Sequence, residues 1–144
     1  MGHKIGGRRA SRELALRALF QVDVGSATPE DALEAVCDAE RYQQDTIEFG
    51  RDLLTGANGH AEHIDRVIER NARGWSLDCM ASVDRNILRL ALYELLYRPD
   101  IPPSVVVDEA VELAKKYSTA ESGRFVNGVL GNVVKNIEQE RAES

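Results

Sequence analysis

The apolar positions of this 144-residue chain recur every three or four residues through most of its length, which is the period of an amphipathic helix. The clearest segments are residues 83–96, 105–117 and 124–137, and the first of these is apolar enough for a central core helix. A strand is conceivable only at 105–107, where it would have no partner. The pattern predicts an all-α fold, a single-domain bundle of six or seven helices.

Start and stop signals divide the amino-terminal half into three helical regions. The first is predicted over residues 11–24. Thr28 followed by Pro29 has the chemistry of an N-cap and a first helical position, which predicts the start of the second. The third extends over residues 46–70, and Asn58-Gly59 predicts a break or kink within it.

Four residues in the carboxy-terminal half carry further expectations. Ser82 is a predicted N-cap of the central helix. Gly128 and Gly131 interrupt the apolar face of the last helix, and because glycine disfavours helix formation, they predict close approach by another element. Trp75, the lone tryptophan, is expected to pin a connecting segment to the core.

Composition limits the class of protein. Residues 1–144 fit one domain, and 43% hydrophobic with only 6% aromatic content favours helices over a β-sandwich. Cys37 and Cys79 form no metal or redox motif and are expected to be reduced, structural thiols. Since no apolar run reaches the roughly 20 residues of a membrane span and no secretory signal is visible, we expect a cytoplasmic protein without a membrane partner.

Charge is distributed unevenly along the chain. Residues 1–17 contain five basic residues against one acidic residue, a balance of +4, so the net charge of −6 leaves −10 for the remainder. Residues 1–10 are therefore expected to form a flexible basic arm that holds a phosphate backbone locally, while the acidic remainder repels nucleic acid.

One face of the first helix, extended back by a turn, would combine Arg9 and Arg12 with Leu16 and Phe20. Guanidinium groups beside an aromatic ring can bind phosphates and stack an unpaired base, which is typical of single-stranded RNA recognition. The alternative is that Phe20 belongs to the core and the arginines form a solvated terminus.

The polar segment 118–124 is a second candidate surface. Arg124 stands where the last helix begins, and a helix start offers N–H groups to an anion while arginine adds a bidentate donor. The alternative is ordinary capping, with Thr119 as N-cap and Gly123 relieving strain.

Motifs for catalysis are absent from the sequence, which contains no P-loop, GxGxxG, nucleophile elbow or HExxH. His60 and His63 have helical spacing but no third ligand, so a polar face is favoured over a metal site. We therefore expect a non-enzymatic binding protein with no catalytic residues, no cofactor and no metal.

Several longer segments together resemble the NusB family of bacterial transcription antitermination factors. They are FVNGVLGNVV after ELAKKYST, VDRNILRLALYELL, PDIPPSVVV and RRASRELALRALFQ. The resemblance covers nearly the whole chain. It implies an all-helical protein that binds boxA-containing single-stranded RNA together with NusE, a ribosomal protein of the small subunit. The pair would join an RNA polymerase antitermination complex that suppresses premature termination, notably in ribosomal RNA operons. The resemblance also allows a homodimer.

The residues expected to bind RNA lie in the basic arm, the first helix and the turn before FVNG. They are Lys4, Arg8, Arg9, Arg12, Phe20, Glu121, Ser122 and Arg124. The resemblance places the acidic position that faces NusE at Asp84. Two other functions stay open from sequence, a helical protein-binding scaffold and an RNA module that assists an rRNA-processing or rRNA-modifying enzyme.

Overall fold

Eight α-helices and one 3₁₀-helix occupy most of residues 3–143, which are the residues that this computed structural model describes. They are α1 (Arg8–Gly25), α2 (Pro29–Ala39), α3 (Gln44–Gly59), α4 (Ala61–Asn71), the 3₁₀-helix (Leu77–Cys79), α5 (Ser82–Tyr97), α6 (Pro103–Tyr117), α7 (Ala120–Lys135) and α8 (Ile137–Ala142). The predicted all-α class is confirmed. The predicted third region is two helices, α3 and α4, separated at the Asn58-Gly59 break, and none of the helices in residues 3–143 is long and apolar enough to cross a membrane.

The chain divides into two compact units, Met1–Gly59 and His60–Ser144. The assignment of residues 1–144 to one domain stays a prediction. In the first unit, α1 packs against both α2 and α3. Gly50 of α3 lets α1 come close, because a Cβ atom there would lie 2.6 Å from Leu14 Cδ2 and 3.2 Å from the Ser11 carbonyl oxygen.

Local chemistry accounts for two of the predicted helix starts. The Thr28 hydroxyl accepts a hydrogen bond from the Asp31 backbone N–H at 3.1 Å, and Pro29 takes the first helical position. Thr119 caps α7 in the same way, accepting from the Ser122 N–H at 3.0 Å. Ser82 is not an N-cap, because α5 begins at Ser82 itself and Ala81 precedes it without a side-chain cap.

The second unit is organised around α5, which packs against α4, α6, α7 and α8. Its side chains Leu88, Leu92 and Leu95 are at most 1% exposed, as the apolar pattern of residues 83–96 predicts. Polar contacts hold α8 in place, since Arg141 Nε donates to the Leu95 carbonyl oxygen at 2.9 Å and Arg70 pairs with Glu140 at 3.1 Å.

Glycine allows close helix packing at a different place from the one predicted. A Cβ atom added at Gly128 or Gly131 would meet no atom of a neighbouring element within 4 Å among the residues described, so the close approach expected there is wrong. At Gly123 a Cβ atom would instead lie 3.1 Å from Lys115 Cγ and 3.7 Å from Val111 Cγ1. The absent side chain at Gly123 therefore lets the start of α7 lie directly on α6.

His63 belongs to an aromatic cluster between α4 and α5. It is buried, and its Nδ1 lies 2.7 Å from Tyr97 Oη, while its Nε2 has no hydrogen-bond partner among the described residues. The ring of His60 stacks on Tyr97 with centroids 3.9 Å apart. Burial, assisted by the nearby charge of Arg66 and opposed by Glu143, lowers the pKa of His63.

The lowered pKa of His63 predicts acid sensitivity. The unfolded chain takes up this proton near pH 6.5, above the pKa of the folded state, so the free energy of unfolding should fall as the pH drops below about 6.5. Urea denaturation at pH 7.5 and 5.5 measures this loss. His63→Gln, which cannot titrate, should lose less stability over that interval, and an equal loss in both proteins would contradict the assignment.

Candidate functional site

Three of the amino-terminal cations are exposed, and two of these three are helical. The side chains of Lys4, Arg8 and Arg9 lie on the surface. Arg8 and Arg9 occupy the first turn of α1, although the sequence pattern places them in the flexible arm. The Arg8 guanidinium carbon lies 3.7 Å from the centroid of the Phe49 ring in α3, a cation–π contact that holds its side chain against the fold.

Residues 3–7, which we call the strap, are hydrogen-bonded to residues 41–46, which include the start of α3. Ile5 N–H donates to the Arg41 carbonyl at 2.7 Å, and Gln43 N–H donates to the Ile5 carbonyl at 2.8 Å. Gly7 N–H donates to Thr46 Oγ1 at 3.1 Å. These bonds tether the strap to the first unit, whereas the first two residues of the predicted flexible arm lie outside the described part of the chain.

Thr46→Val should loosen the strap. Valine keeps the buried volume but cannot accept the Gly7 hydrogen bond, so the Gly7 amide should exchange with solvent about three- to tenfold faster. Hydrogen exchange followed by NMR measures this rate. Thr46→Ser should restore protection, and Thr55→Val removes an exposed hydroxyl on the same helix as a control. Unchanged exchange in Thr46→Val would show that this bond does not order the strap.

Arg12 and Phe20 occupy different environments from the one that the sequence suggests. Arg12 is only 5% exposed, with its guanidinium carbon 5.8 Å from the Phe49 centroid, so its position favours a role in packing α1 onto α3. Phe20 is half-buried, which leaves part of its ring accessible. RNA contact by these two residues stays a prediction.

A second region of the surface lies within the carboxy-terminal unit. It is a cavity of about 540 Å³, here called the α5–α7 cavity. It brings together four of the residues that the sequence assigns to RNA or partner binding. Its walls are formed by Trp75, Cys79, Met80, Ala81, Asp84, Thr119, Glu121, Ser122, Arg124 and Phe125.

Asp84 links the two predicted functions in this cavity. Ser122 Oγ donates a hydrogen bond to Asp84 Oδ2 at 2.9 Å, and Ser118 Oγ lies 2.8 Å from Ser122 Oγ. The Asp84 side chain is 8% exposed, and its Oδ1 has no hydrogen-bond partner among the described residues. A buried carboxylate oxygen without a donor is costly, and because Oδ1 is covered, an N–H group reaches it only when the side chains around it move.

Arg124 and Glu121 present charge at the cavity wall. Both side chains are exposed, and Arg124 forms no ion pair or hydrogen bond that involves the described residues. Its five N–H donors can therefore engage a phosphate or a base edge. Thr119 caps α7 and Gly123 allows close packing, as the alternative interpretation of this turn expects, whereas ligand binding by the turn stays a prediction.

Two wall residues depart from their sequence-based interpretation. Trp75 does not pin its segment into the core, because its side chain is 50% exposed and touches Phe125 edge-on, with ring centroids 5.7 Å apart. Cys79, which the sequence predicts to be structural, is exposed. The sequence contains one signal that Trp75 and Cys79 could belong to this site. They lie shortly before Asp84 in the chain, in the segment that leads into α5.

Comparison with known families decides the relationship. The NusB family model matches residues 9–135. The chain belongs to the NusB family. The transcription antitermination protein NusB of Symbiobacterium thermophilum is 48% identical over 138 residues, covering 90% of each chain. NusB of Pelotomaculum thermopropionicum is 49% identical over 138 residues and 93% of each chain.

Solved structures of NusB proteins have the same fold. T. maritima NusB superimposes with a TM-score of 0.85 at 39% identity, over 99% of this chain and 100% of that one. A NusB chain from a complex of antitermination factors NusB and NusE with dsRNA has a TM-score of 0.84 at 32% identity, over 90% of this chain and 96% of that one. The NusB-like helical fold that the sequence predicts is therefore confirmed.

Proposed function

We propose that this protein is an RNA-binding transcription antitermination factor that recognises boxA RNA together with NusE. In this role it acts in the cytoplasm on nascent transcripts, joins the RNA polymerase antitermination complex and suppresses premature termination, notably in ribosomal RNA operons. It catalyses no reaction. It holds RNA and a protein partner together.

The observation that carries this proposal is the match to a NusB chain in complex with NusE and dsRNA over 90% of this chain. The family model matches residues 9–135, which include Arg9 and every residue of the α5–α7 cavity. A regulatory protein of this kind needs surfaces for two ligands rather than a catalytic centre.

Electrostatics supports the RNA part of the proposal. A body with net negative charge binds nucleic acid only where cations are concentrated, and the exposed Lys4, Arg8 and Arg9 provide such a place. Arg124 provides a cation at the cavity. Single-stranded RNA offers the phosphates and unpaired bases that such groups bind.

The NusE part of the proposal concerns Asp84. Asp84 is 8% exposed at the cavity wall, and its charge favours a cationic group of the partner. The hydrogen bond between Ser122 and Asp84 joins the residue assigned to NusE with one assigned to RNA.

Fluorescence anisotropy with a labelled RNA oligonucleotide tests the proposal. The chain alone and the chain with NusE are titrated into boxA RNA, a scrambled single strand and a boxA duplex. We expect the tightest binding to single-stranded boxA with NusE present. Association with NusE but with none of the three RNAs would favour a protein-binding scaffold and overturn the proposal, while preference for the duplex would overturn its single-stranded part.

A further inference from the structure

Trp75 is the feature of the α5–α7 cavity that the proposed function leaves unexplained. It follows the left-handed Gly74, and its N–H donates to the Ala72 carbonyl at 3.0 Å, so the backbone around it is fixed. Its indole ring nevertheless remains 50% exposed. An exposed indole on a fixed backbone at the edge of a cavity offers apolar area that a ligand can cover.

The geometry around Trp75 leaves room for a flat ligand. Phe125 meets the indole edge-on, at an interplanar angle of 62°, and thereby supports the ring without stacking on it. The accessible part of the ring borders the cavity, whose volume of about 540 Å³ exceeds that of one nucleobase.

The polar groups of the same cavity match the other parts of a nucleotide. Glu121 is an exposed acceptor for base N–H groups. Arg124 is an exposed donor for a phosphate. An apolar side chain from a protein would leave the Glu121 carboxylate and the Arg124 guanidinium without partners, so a base attached to a phosphate fits this set of groups better.

We propose that Trp75 is the stacking platform for one unpaired base of the bound RNA. In this arrangement Glu121 accepts a hydrogen bond from an N–H of that base and Arg124 holds an adjacent phosphate. The inference rests on the proposed RNA-binding function and adds to it a defined subsite for a single nucleotide. Stacking tolerates any base, so this subsite contributes affinity more than sequence preference.

The single tryptophan of the chain makes a direct optical test available. The full chain is titrated with boxA RNA while indole emission is recorded. A parallel titration adds NusE alone. The Trp75→Phe variant, which lacks the indole, gives the background emission in both titrations. We expect strong quenching by RNA. A change of emission with NusE alone, with no further change on adding RNA, would place the protein partner rather than a base on Trp75 and overturn the inference.

Substitution provides the second test. Trp75→Ala should weaken boxA binding by the chain and NusE by about 5-fold to 140-fold, and Trp75→Phe should weaken it less. The control is Tyr117→Ala, which removes an exposed aromatic residue that does not line the cavity. It should have little effect. Circular dichroism melting controls for folding.

Abasic substitution along the RNA identifies the base concerned. One abasic position should weaken binding to wild type yet add little to the loss in Trp75→Ala. Full additivity at every position, or unchanged affinity of a folded Trp75→Ala protein, would overturn the stacking role while leaving RNA binding intact. Failure of the wild-type pair to bind any RNA would instead overturn the proposed function.

Discussion

Asp84→Asn is expected to weaken the association with NusE by about thirtyfold or more. The substitution removes a charge that we assign to a cationic group of the partner, and losing one member of a buried charge pair typically costs about 2–5 kcal/mol. Asparagine retains an oxygen that can accept the hydrogen bond from Ser122. Isothermal titration of wild type and variant with NusE measures the difference.

Asparagine is a sharper substitution than lysine because Asp84 is 8% exposed, so a lysine there would perturb the start of α5 as well as the interface. Asp108→Asn is the matched control, since Asp108 is an exposed acid near the start of α6. Equal NusE affinity for wild type and Asp84→Asn would reject the partner-facing role of Asp84.

Replacing Lys4, Arg8 and Arg9 together with glutamine is expected to reduce the salt dependence of RNA binding. Each lost phosphate contact removes roughly 0.7 from the slope of log K against log salt for a single strand. Three lost contacts therefore reduce the slope by about 2. If wild type and variant bind RNA equally at 1 M salt, this difference in slope makes the variant bind about fiftyfold more weakly at 0.15 M salt. Anisotropy titrations at several salt concentrations measure both quantities.

Arg12 is omitted from this variant because it is 5% exposed and packs near Phe49, so its replacement would confuse loss of stability with loss of binding. The matched control replaces Arg41, Arg66 and Lys135, which are also exposed and carry the same total charge. If both triple variants lose the same slope, net charge rather than the amino-terminal site governs RNA binding.

Helical periodicity predicts the major elements because burial of one face repeats along each helix. The central segment 83–96 lies within α5, and the Thr28 cap begins α2 as expected. The pattern predicts the start of α1 three residues late. Its first turn is fixed by long-range contacts, such as the Ser11 hydroxyl donating to the Thr46 carbonyl at 2.8 Å, which a local pattern does not contain.

The sequence indicates individual candidate residues of the site but not which of them lie together in space. Asp84 and Ser122 are 38 positions apart, and their hydrogen bond depends on how α5 packs against α7. The exposure of a side chain cannot be read from the sequence either. The sequence shows its charge and aromatic character, whereas its burial depends on how the helices pack. For this reason the sequence predicts Arg12 at the surface and Trp75 in the core, the reverse of what the structure contains.

Native mass spectrometry of an equimolar mixture of this protein, NusE and single-stranded boxA RNA tests the central claim most directly. The proposal predicts a ternary species containing one copy of each component, which is depleted when scrambled RNA replaces boxA. Detection of the binary complex of the two proteins alone, with no species that contains boxA RNA at any RNA concentration, would contradict it.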